Sequence, residues 1–355
     1  MRFFLLLGIF LLSCGTVRAA ETVPATSYFP LLPFDAPDNE SPQLIPLASS
    51  HSLDESHAGI TRAIIVIHDE TRDAGAALNT IAALAGVMNS STLIIAPQFL
   101  LPSDIVTFAD HLPDRGKDFA AWQISGWDAG DNSMPVQTHK SVSSFTAIDL
   151  LLMYLSDRNA FPDLQTIVIA GYGAGANFTQ RYAAFSLAAD AIAKQNITLR
   201  FVVADTQSYI YQTPARVLGG RKGFGQPDAT TCPDYNAYPY GLEKLNDYAK
   251  RGGTNAAKEN YALHFITYLN APASAPASEQ ICAVKLQGDN SAARAENYRA
   301  YLQSLYSDVA SRTQNFVTLK NGPNNAVTLF GSPCGMAVLF GDGQCAAPVI
   351  VGNTP

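Results

Sequence analysis

The chain has few charged residues and no cluster of basic ones. Of its 355 residues, 15% are charged and 47% are hydrophobic, and the formal net charge is −7. A composition this poor in charge excludes a disordered chain and is typical of a protein with a sizeable buried core. Its basic residues occur singly or in pairs such as Arg221-Lys222. Because nucleic-acid-binding proteins concentrate positive charge on one face, a nucleic-acid partner is not expected.

The chain also lacks a hydrophobic run long enough to form a stable transmembrane anchor. Residues 1–13 carry one Arg and a short apolar segment, and residues 17–20 offer the small side chains of a cleavage site. This pattern predicts a secretory signal peptide over residues 1–20. Residues 11–14 resemble a bacterial lipobox, although Leu fits its middle position poorly. We therefore favour a secreted or periplasmic protein over one that is lipid-anchored at Cys14.

A Cys-x-x-Cys motif is missing as well, which argues against a metal site built on cysteine. Apart from Cys14, the chain has an even number of cysteines, and in an exported protein this predicts disulfides. Three connectivities are possible. We favour the pairs Cys232–Cys282 and Cys334–Cys345.

The stretch around which the sequence is organised is residues 166–178, which read TIVIAGYGAGANF. A β-branched run that enters a cluster of very small residues and continues into a helical pattern predicts a buried strand, a tight turn and a helix. In serine hydrolases such a turn holds the nucleophile at its apex, in the pattern Gly-x-Ser-x-Gly. Gly171 and Gly175 match the outer glycines, but the apex is Gly173. Glycine there relieves a backbone strain of about 1–3 kcal/mol.

The same glycines could instead form a phosphate-binding loop. Their spacing fits neither the dinucleotide fingerprint nor a P-loop, and no Lys-Ser or Lys-Thr pair follows them. We therefore expect no nucleotide and no other cofactor or metal.

Further apolar runs predict a doubly wound, mostly parallel α/β sheet, because strands that are apolar on both faces are typical of parallel sheets covered by helices. Strands are predicted at residues 62–68, 91–97, 166–172, 199–205, 263–269 and 315–320, and helices at 74–88, 143–155 and 292–310. Residues 21–60 are rich in Pro, Ser and Asp and are expected to wrap the surface as an extended segment. Residues 61–350 are expected to form one domain.

Ligands of open α/β sheets bind at the carboxyl ends of the strands. The residues expected to form one crevice there are His68, Asp69, Tyr172, Gly173, Ala174 and Asp205. A carboxylate at Asp69 would repel the negative charge that a hydrolase stabilises in this place. The alternative is that Asp69 faces away from the crevice into solvent.

Residues 206–258 are polar and aromatic and are predicted to form a cap over the crevice. Their tyrosines are Tyr209, Tyr211, Tyr235, Tyr238, Tyr240 and Tyr248. Two interpretations stay open: ordinary packing of amphipathic rings, which we favour, and a surface that contacts a substrate or partner.

Several motifs together resemble those of a family of exported α/β-hydrolases of bacteria and fungi. In order they are VIH at 66–68, RDA at 72–74, APQF at 96–99, SSF at 143–145, AGYGAG at 170–175, RYA at 181–183, CPDYN at 232–236, QG at 287–288, SPCG at 332–335 and FGDG at 340–343. The resemblance covers about residues 60–345 and implies the α/β-hydrolase fold. It also implies a catalytic Ser, His and acid at or near positions where this chain has Gly173, Asn324 and Ala273.

Three such changes predict a secreted pseudo-hydrolase that binds a small hydrophobic molecule or a protein partner through the vacated crevice. The alternative is a working enzyme. It would be either an esterase- or lipase-like hydrolase or a non-covalent acid–base enzyme that uses displaced residues such as His68 and Asp205.

Overall fold

The computed structural model describes residues 27–33, 36, 40–135, 139–218, 223–272, 281–343 and 345. The predicted signal peptide, residues 1–20, and position 273 lie outside these ranges. Within the described ranges, no helix is both long enough and apolar enough to cross a membrane.

Eight strands form a central sheet and two short strands form a hairpin outside it. In chain order they are β1 (Ser27–Leu31), β2 (Gln43–Ser49), β3 (Arg62–Ile67), β4 (Thr92–Pro97), β5 (Thr166–Tyr172), β6 (Thr198–Ala204), β7 (Arg216–Val217), β8 (Phe224–Gly225), β9 (Phe265–Asn270) and β10 (Gln314–Thr318). The sheet order is β1-β2-β4-β3-β5-β6-β9-β10, and β7 pairs with β8. Strands β4, β3, β5, β6, β9 and β10 are parallel to one another.

Helices cover both faces of this sheet. They are α1 (Ala74–Ala85), α2 (Pro102–Phe108), α3 (Ser144–Leu155), α4 (Ala174–Phe185), α5 (Ala189–Lys194), α6 (Asp247–Leu263), α7 (Cys282–Lys285), α8 (Ser291–Thr313), α9 (Ala326–Phe330) and α10 (Pro333–Phe340). One apolar cluster joins the sheet to α3, α4, α6 and α8, and a second joins it to α1, α9 and α10.

The central strands contribute alternate side chains to the two clusters, as a pleated strand must. On β3, Ile65 and Ile67 pack in the first cluster, whereas Ile64 and Val66 pack in the second. All six residues of β4 are buried. The predicted doubly wound, mostly parallel sheet is therefore confirmed.

The edge of the sheet differs from the sequence-based expectation for residues 21–60. Instead of only wrapping the surface, this segment supplies β1 and β2, which pair antiparallel with each other, and β2 pairs antiparallel with β4. Pro46 lies within β2 opposite Tyr28 of β1. Proline is unfavourable in a strand but is tolerated where its nitrogen need not donate to the ladder, so the composition concealed the strand.

The insert between β6 and β9 contains the hairpin β7–β8 and the whole of α6. Tyr209, Tyr211 and Tyr248 are at most 2% exposed. The ring of Tyr209 stacks on Tyr298 of α8 with their centroids 4.3 Å apart. Ordinary packing, the interpretation favoured from sequence, therefore accounts for these three tyrosines, while Tyr240 lines the cavity described below.

Two disulfides join described parts of the chain that are 50 and 11 residues apart. Cys232 of the insert is bonded to Cys282 at the start of α7, and Cys334 of α10 is bonded to Cys345. These are the pairs favoured from the sequence.

Candidate functional site

The turn between β5 and α4 is the centre of the candidate site. Gly173 links the two elements with φ 58° and ψ −116°, a conformation that favours glycine because a Cβ would be strained there. A Cβ on Gly171 would overlap the backbone oxygen of Gly175, and one on Gly175 would overlap that of Ile67. The small residues around the turn are therefore required by close packing of the helix against the strands.

Asp69 occupies the space that an apex side chain would need. Its Oδ1 accepts a hydrogen bond from the backbone N–H of Ala174, 2.8 Å away. A Cβ built on Gly173 would overlap this same carboxylate. In α/β-hydrolases the N–H that follows the nucleophile is one of the two oxyanion donors. Of the two alternatives left open for Asp69, the structure therefore has the carboxylate at the oxyanion position.

The surroundings of Asp69 oppose its ionisation. Burial is the main cause of a raised pKa for this carboxyl, and the neighbouring carboxylates of Glu70 and Asp205 add to it. Hydrogen bonds from the backbone N–H groups of Ala174 and Glu70 act in the opposite direction. The crevice thus concentrates acidic groups where a hydrolase would need positive potential.

Asn324, in the loop after β10, is hydrogen-bonded to a second carboxylate. Its Nδ2 donates to Oδ2 of Asp205 over 2.6 Å, and its backbone oxygen accepts from the hydroxyl of Tyr172 at 3.1 Å. Burial, with the charges of Asp205 and Asp69, raises the pKa of Tyr172 to about 12, so the hydroxyl stays protonated. An amide at position 324 can donate to the carboxylate but cannot accept a proton at neutral pH.

The sequence predicts that Asp205 lies in the crevice, but no sequence pattern identifies Asn324 as its partner. Position 273, to which the resemblance assigned the acid, lies outside the described residues. The available signal was an Asp directly after a buried strand, since the carboxyl ends of parallel strands meet at one edge of the sheet.

His68 lies beneath the crevice rather than in it, which corrects the sequence-based assignment. Its Nε2 accepts from the backbone N–H of Phe99 at 3.0 Å, so Nδ1 carries the proton and donates to the backbone oxygen of Asp69 at 2.9 Å. Burial lowers its pKa to about 4. With both ring nitrogens engaged and the ring neutral, His68 is not placed to exchange protons with Asp205.

A cavity of about 570 Å³ opens beside the turn. Its walls come from the loop after β3, the segment before α3, the first turns of α4, the insert, and the start of α7. The lining residues are Glu70, Thr71, Arg72, Ile124, Ser125, Trp127, Asp128, Ala174, Asn177, Arg181, Gln207, Ser208, Pro239, Tyr240, Ile281 and Val284. Of the predicted crevice residues, Ala174 lines the cavity, and Asp69 is hydrogen-bonded to it.

Both arginines in the cavity wall are engaged with carboxylates. Arg72 donates to both oxygens of Asp104, at 2.8 and 3.1 Å, in a pair buried from solvent. Arg181 pairs with Asp128 at 2.7 Å and also donates to Oγ of Ser208. Both arginines belong to motifs of the family resemblance, but no pattern in the sequence pairs them with Asp104 and Asp128, which lie 32 and 53 residues away along the chain.

All six histidines of the chain fall within the described ranges, and none of them lines the cavity. Those ranges also contain no group of three or more His, Cys, Asp or Glu side chains that could hold a metal ion.

No known family model matches this chain, and no curated protein matches its sequence. Solved structures do resemble it. LpqC, a poly(3-hydroxybutyrate) depolymerase from Bordetella parapertussis, is 14% identical with a TM-score of 0.53, over 86% of this chain and 88% of that one. Poly(aspartic acid) hydrolase-1 from Sphingomonas sp. KT-1 is 16% identical with a TM-score of 0.50, over 87% and 96%. At this identity the similarity establishes the fold, and the chain has the α/β-hydrolase fold, as predicted.

Proposed function

We propose that this chain is a non-hydrolytic α/β-hydrolase-fold protein that binds a small molecule in the cavity beside α4. The observation that carries the proposal is the position of Asp69. Its carboxylate takes the Ala174 N–H and fills the space of an apex side chain at Gly173. A serine hydrolase needs an oxygen nucleophile there, a base to activate it, and free donors for the oxyanion.

The expected hydrolytic rate is close to background. When a serine hydrolase loses its nucleophile and base, the acceleration that remains, roughly 10³–10⁴ over water, comes from binding and the oxyanion hole. In this chain the hole contains a carboxylate, which repels the charge that develops in the transition state. Asn324 supplies no base. The remaining contribution is therefore expected to be lost as well.

Binding is supported by the size and the walls of the cavity. Ligand sites usually occupy about 300–1,000 Å³ and are lined mainly by apolar groups with a few polar ones. The cavity measures about 570 Å³ and combines Ile124, Tyr240 and Val284 with the polar side chains of Glu70 and Asn177.

The test compares hydrolysis of p-nitrophenyl acetate by the wild type, by Gly173→Ser, and by the triple variant Gly173→Ser/Asp69→Gly/Asn324→His. The wild type and the single variant should match the uncatalysed rate, because the new serine meets Asp69 and has no base. The triple variant, which clears the hole and supplies an imidazole, should gain measurable activity. Wild-type turnover that disappears in Asp69→Asn would overturn the proposal.

A second candidate function is hydrolysis by displaced groups. It is favoured by the fact that Asp69 places a carboxylate with a raised pKa at the apex of the turn, where it could activate water. His68 and Asp205, the pair suggested by the sequence, are less suited because backbone groups hold both His68 nitrogens. A pH–rate profile whose acidic limb is lost in Asp69→Asn would support this candidate.

We also propose that the protein acts outside the cytoplasm, in a secreted or periplasmic setting. The two disulfides support this, because such bonds persist in oxidising compartments. Fractionation of the native host, with N-terminal sequencing of the mature chain, tests it. A mature chain that begins at residue 1 in the cytoplasm would contradict it.

A further inference from the structure

The chemistry of the cavity suggests which ligands it accepts, provided that the proposed binding function holds. The N-terminus of a helix ordinarily attracts anions, because its N–H groups are unpaired and its dipole is positive there. At α4 the N–H of Ala174 already donates to Asp69. This N–H is therefore not available to an anionic ligand, and the neighbouring carboxylate of Asp69 would repel such a ligand.

The cationic groups of the wall offer an anion little compensation. Arg72 is paired with Asp104, and Arg181 is paired with Asp128. Glu70 lines the cavity, is exposed, and accepts a hydrogen bond at Oε1 from the amide of Gln207. Within the described ranges, the arginines of the wall are thus neutralised by protein carboxylates, while Asp69 and Glu70 add negative potential.

The walls nearer to solvent are apolar. Ile124 and Ile281 line the cavity and are 47% and 50% exposed, although large aliphatic side chains are usually buried. Pro239 and Tyr240 lie in the same wall. This combination provides a surface for an apolar body, and the tyrosine ring adds a face that attracts cations.

We propose that the cavity binds small organic ammonium compounds that carry an apolar body. The ammonium group lies near Glu70, and the apolar body packs against Ile124, Ile281 and Tyr240. Carboxylate-bearing analogues are excluded by charge.

The test uses three probes with one benzyl skeleton and a carbonyl acceptor in common: phenylalaninamide, which is cationic, N-acetylphenylalaninamide, which is neutral, and N-acetylphenylalanine, which is anionic. Binding to the mature full-length protein is measured by isothermal titration calorimetry at neutral pH. The cation should bind about tenfold tighter than the neutral probe, as one additional charge-assisted hydrogen bond provides. The anion should bind weakest.

Two variants locate the effect. Glu70→Gln should remove most of the preference for the cation over the neutral probe. The matched control is Glu55→Gln, which removes an exposed acid before the start of β3, at the amino ends of the parallel strands. It should change neither the preference for the cation nor the affinity of the neutral probe.

The outcomes separate the two proposals. If none of the probes binds, both the binding function and this inference fail. If the anion binds as well as the cation, or Glu55→Gln acts like Glu70→Gln, the cavity binds ligands but its charge selection is wrong.

Discussion

The turn at residues 171–175 and the loops that face it are constrained by different kinds of contact. In the turn, Gly171 and Gly175 are fixed by contact with backbone atoms, which cannot move aside. In the facing loops, Asp69, Asp205 and Asn324 make side-chain hydrogen bonds that other polar residues could replace. A turn that looks catalytic is therefore evidence for the fold, whereas the chemistry has to be inferred from the groups that face it.

The largest expected effect on stability comes from a substitution within the turn itself. Gly171→Ala should destabilise the protein by about 3 kcal/mol or more, because its Cβ overlaps the backbone oxygen of Gly175 and forces strand and helix apart. Gly59→Ala is the control: unlike Gly171, Gly59 has a positive φ, 88°, but a Cβ there meets nothing within 4 Å. Its cost should be about 1 kcal/mol. Urea denaturation of both variants measures the difference, and equal costs would show that packing does not constrain the turn.

The next largest expected effect concerns His68, which is buried beneath the loops that face the turn. His68 is held neutral with its pKa lowered to about 4. A histidine whose folded pKa lies below its unfolded value of about 6.5 binds protons better when unfolded, so stability is lost as pH falls from about 6.5 to 4. The loss attributable to this residue is on the order of 3 kcal/mol.

His68→Gln keeps one donor and one acceptor but does not titrate. In this variant the free energy of unfolding should depend less on pH across the same window. Stability curves from urea titrations at a series of pH values decide the matter. An unchanged pH dependence would mean that His68 is not buried as a neutral ring.

The difference between the two regions also explains what the sequence could predict. The strand–turn–helix over residues 166–185 follows from local patterns, namely β-branched residues, three spaced glycines and a helical repeat, and the structure reproduces it. The parallel core strands follow from their apolar runs in the same way. These features are encoded by neighbours in the chain.

The site depends on contacts that local patterns do not encode. Asn324 and Asp205 are 119 residues apart, and Arg181 and Asp128 are 53 apart. Whether Asp69 faced the crevice or the solvent depended on the position of Ala174 and could not be decided from the sequence. Strand β2 was missed because Pro46 argues against a strand unless its partner is known.

The smallest expected effect is the coupling free energy between Gly173 in the turn and Asp69 in the loop that faces it. Gly173→Ala adds a Cβ at φ 58° and against the carboxylate of Asp69, and should cost about 2–3 kcal/mol. In an Asp69→Ala background the overlap disappears and only the backbone strain remains. The same substitution should then cost about 1 kcal/mol less, a coupling typical of residues in contact.

A double-mutant cycle in urea measures this coupling directly. The matched cycle replaces Asp69→Ala with Asp73→Ala. Asp73 caps the start of α1 through its bond with the N–H of Ala76, and a Cβ on Gly173 would not meet it. That cycle should show additive costs, because the two residues share no contact. If the Asp69 cycle is additive too, the carboxylate does not fill the apex of the turn, and the oxyanion position is not blocked.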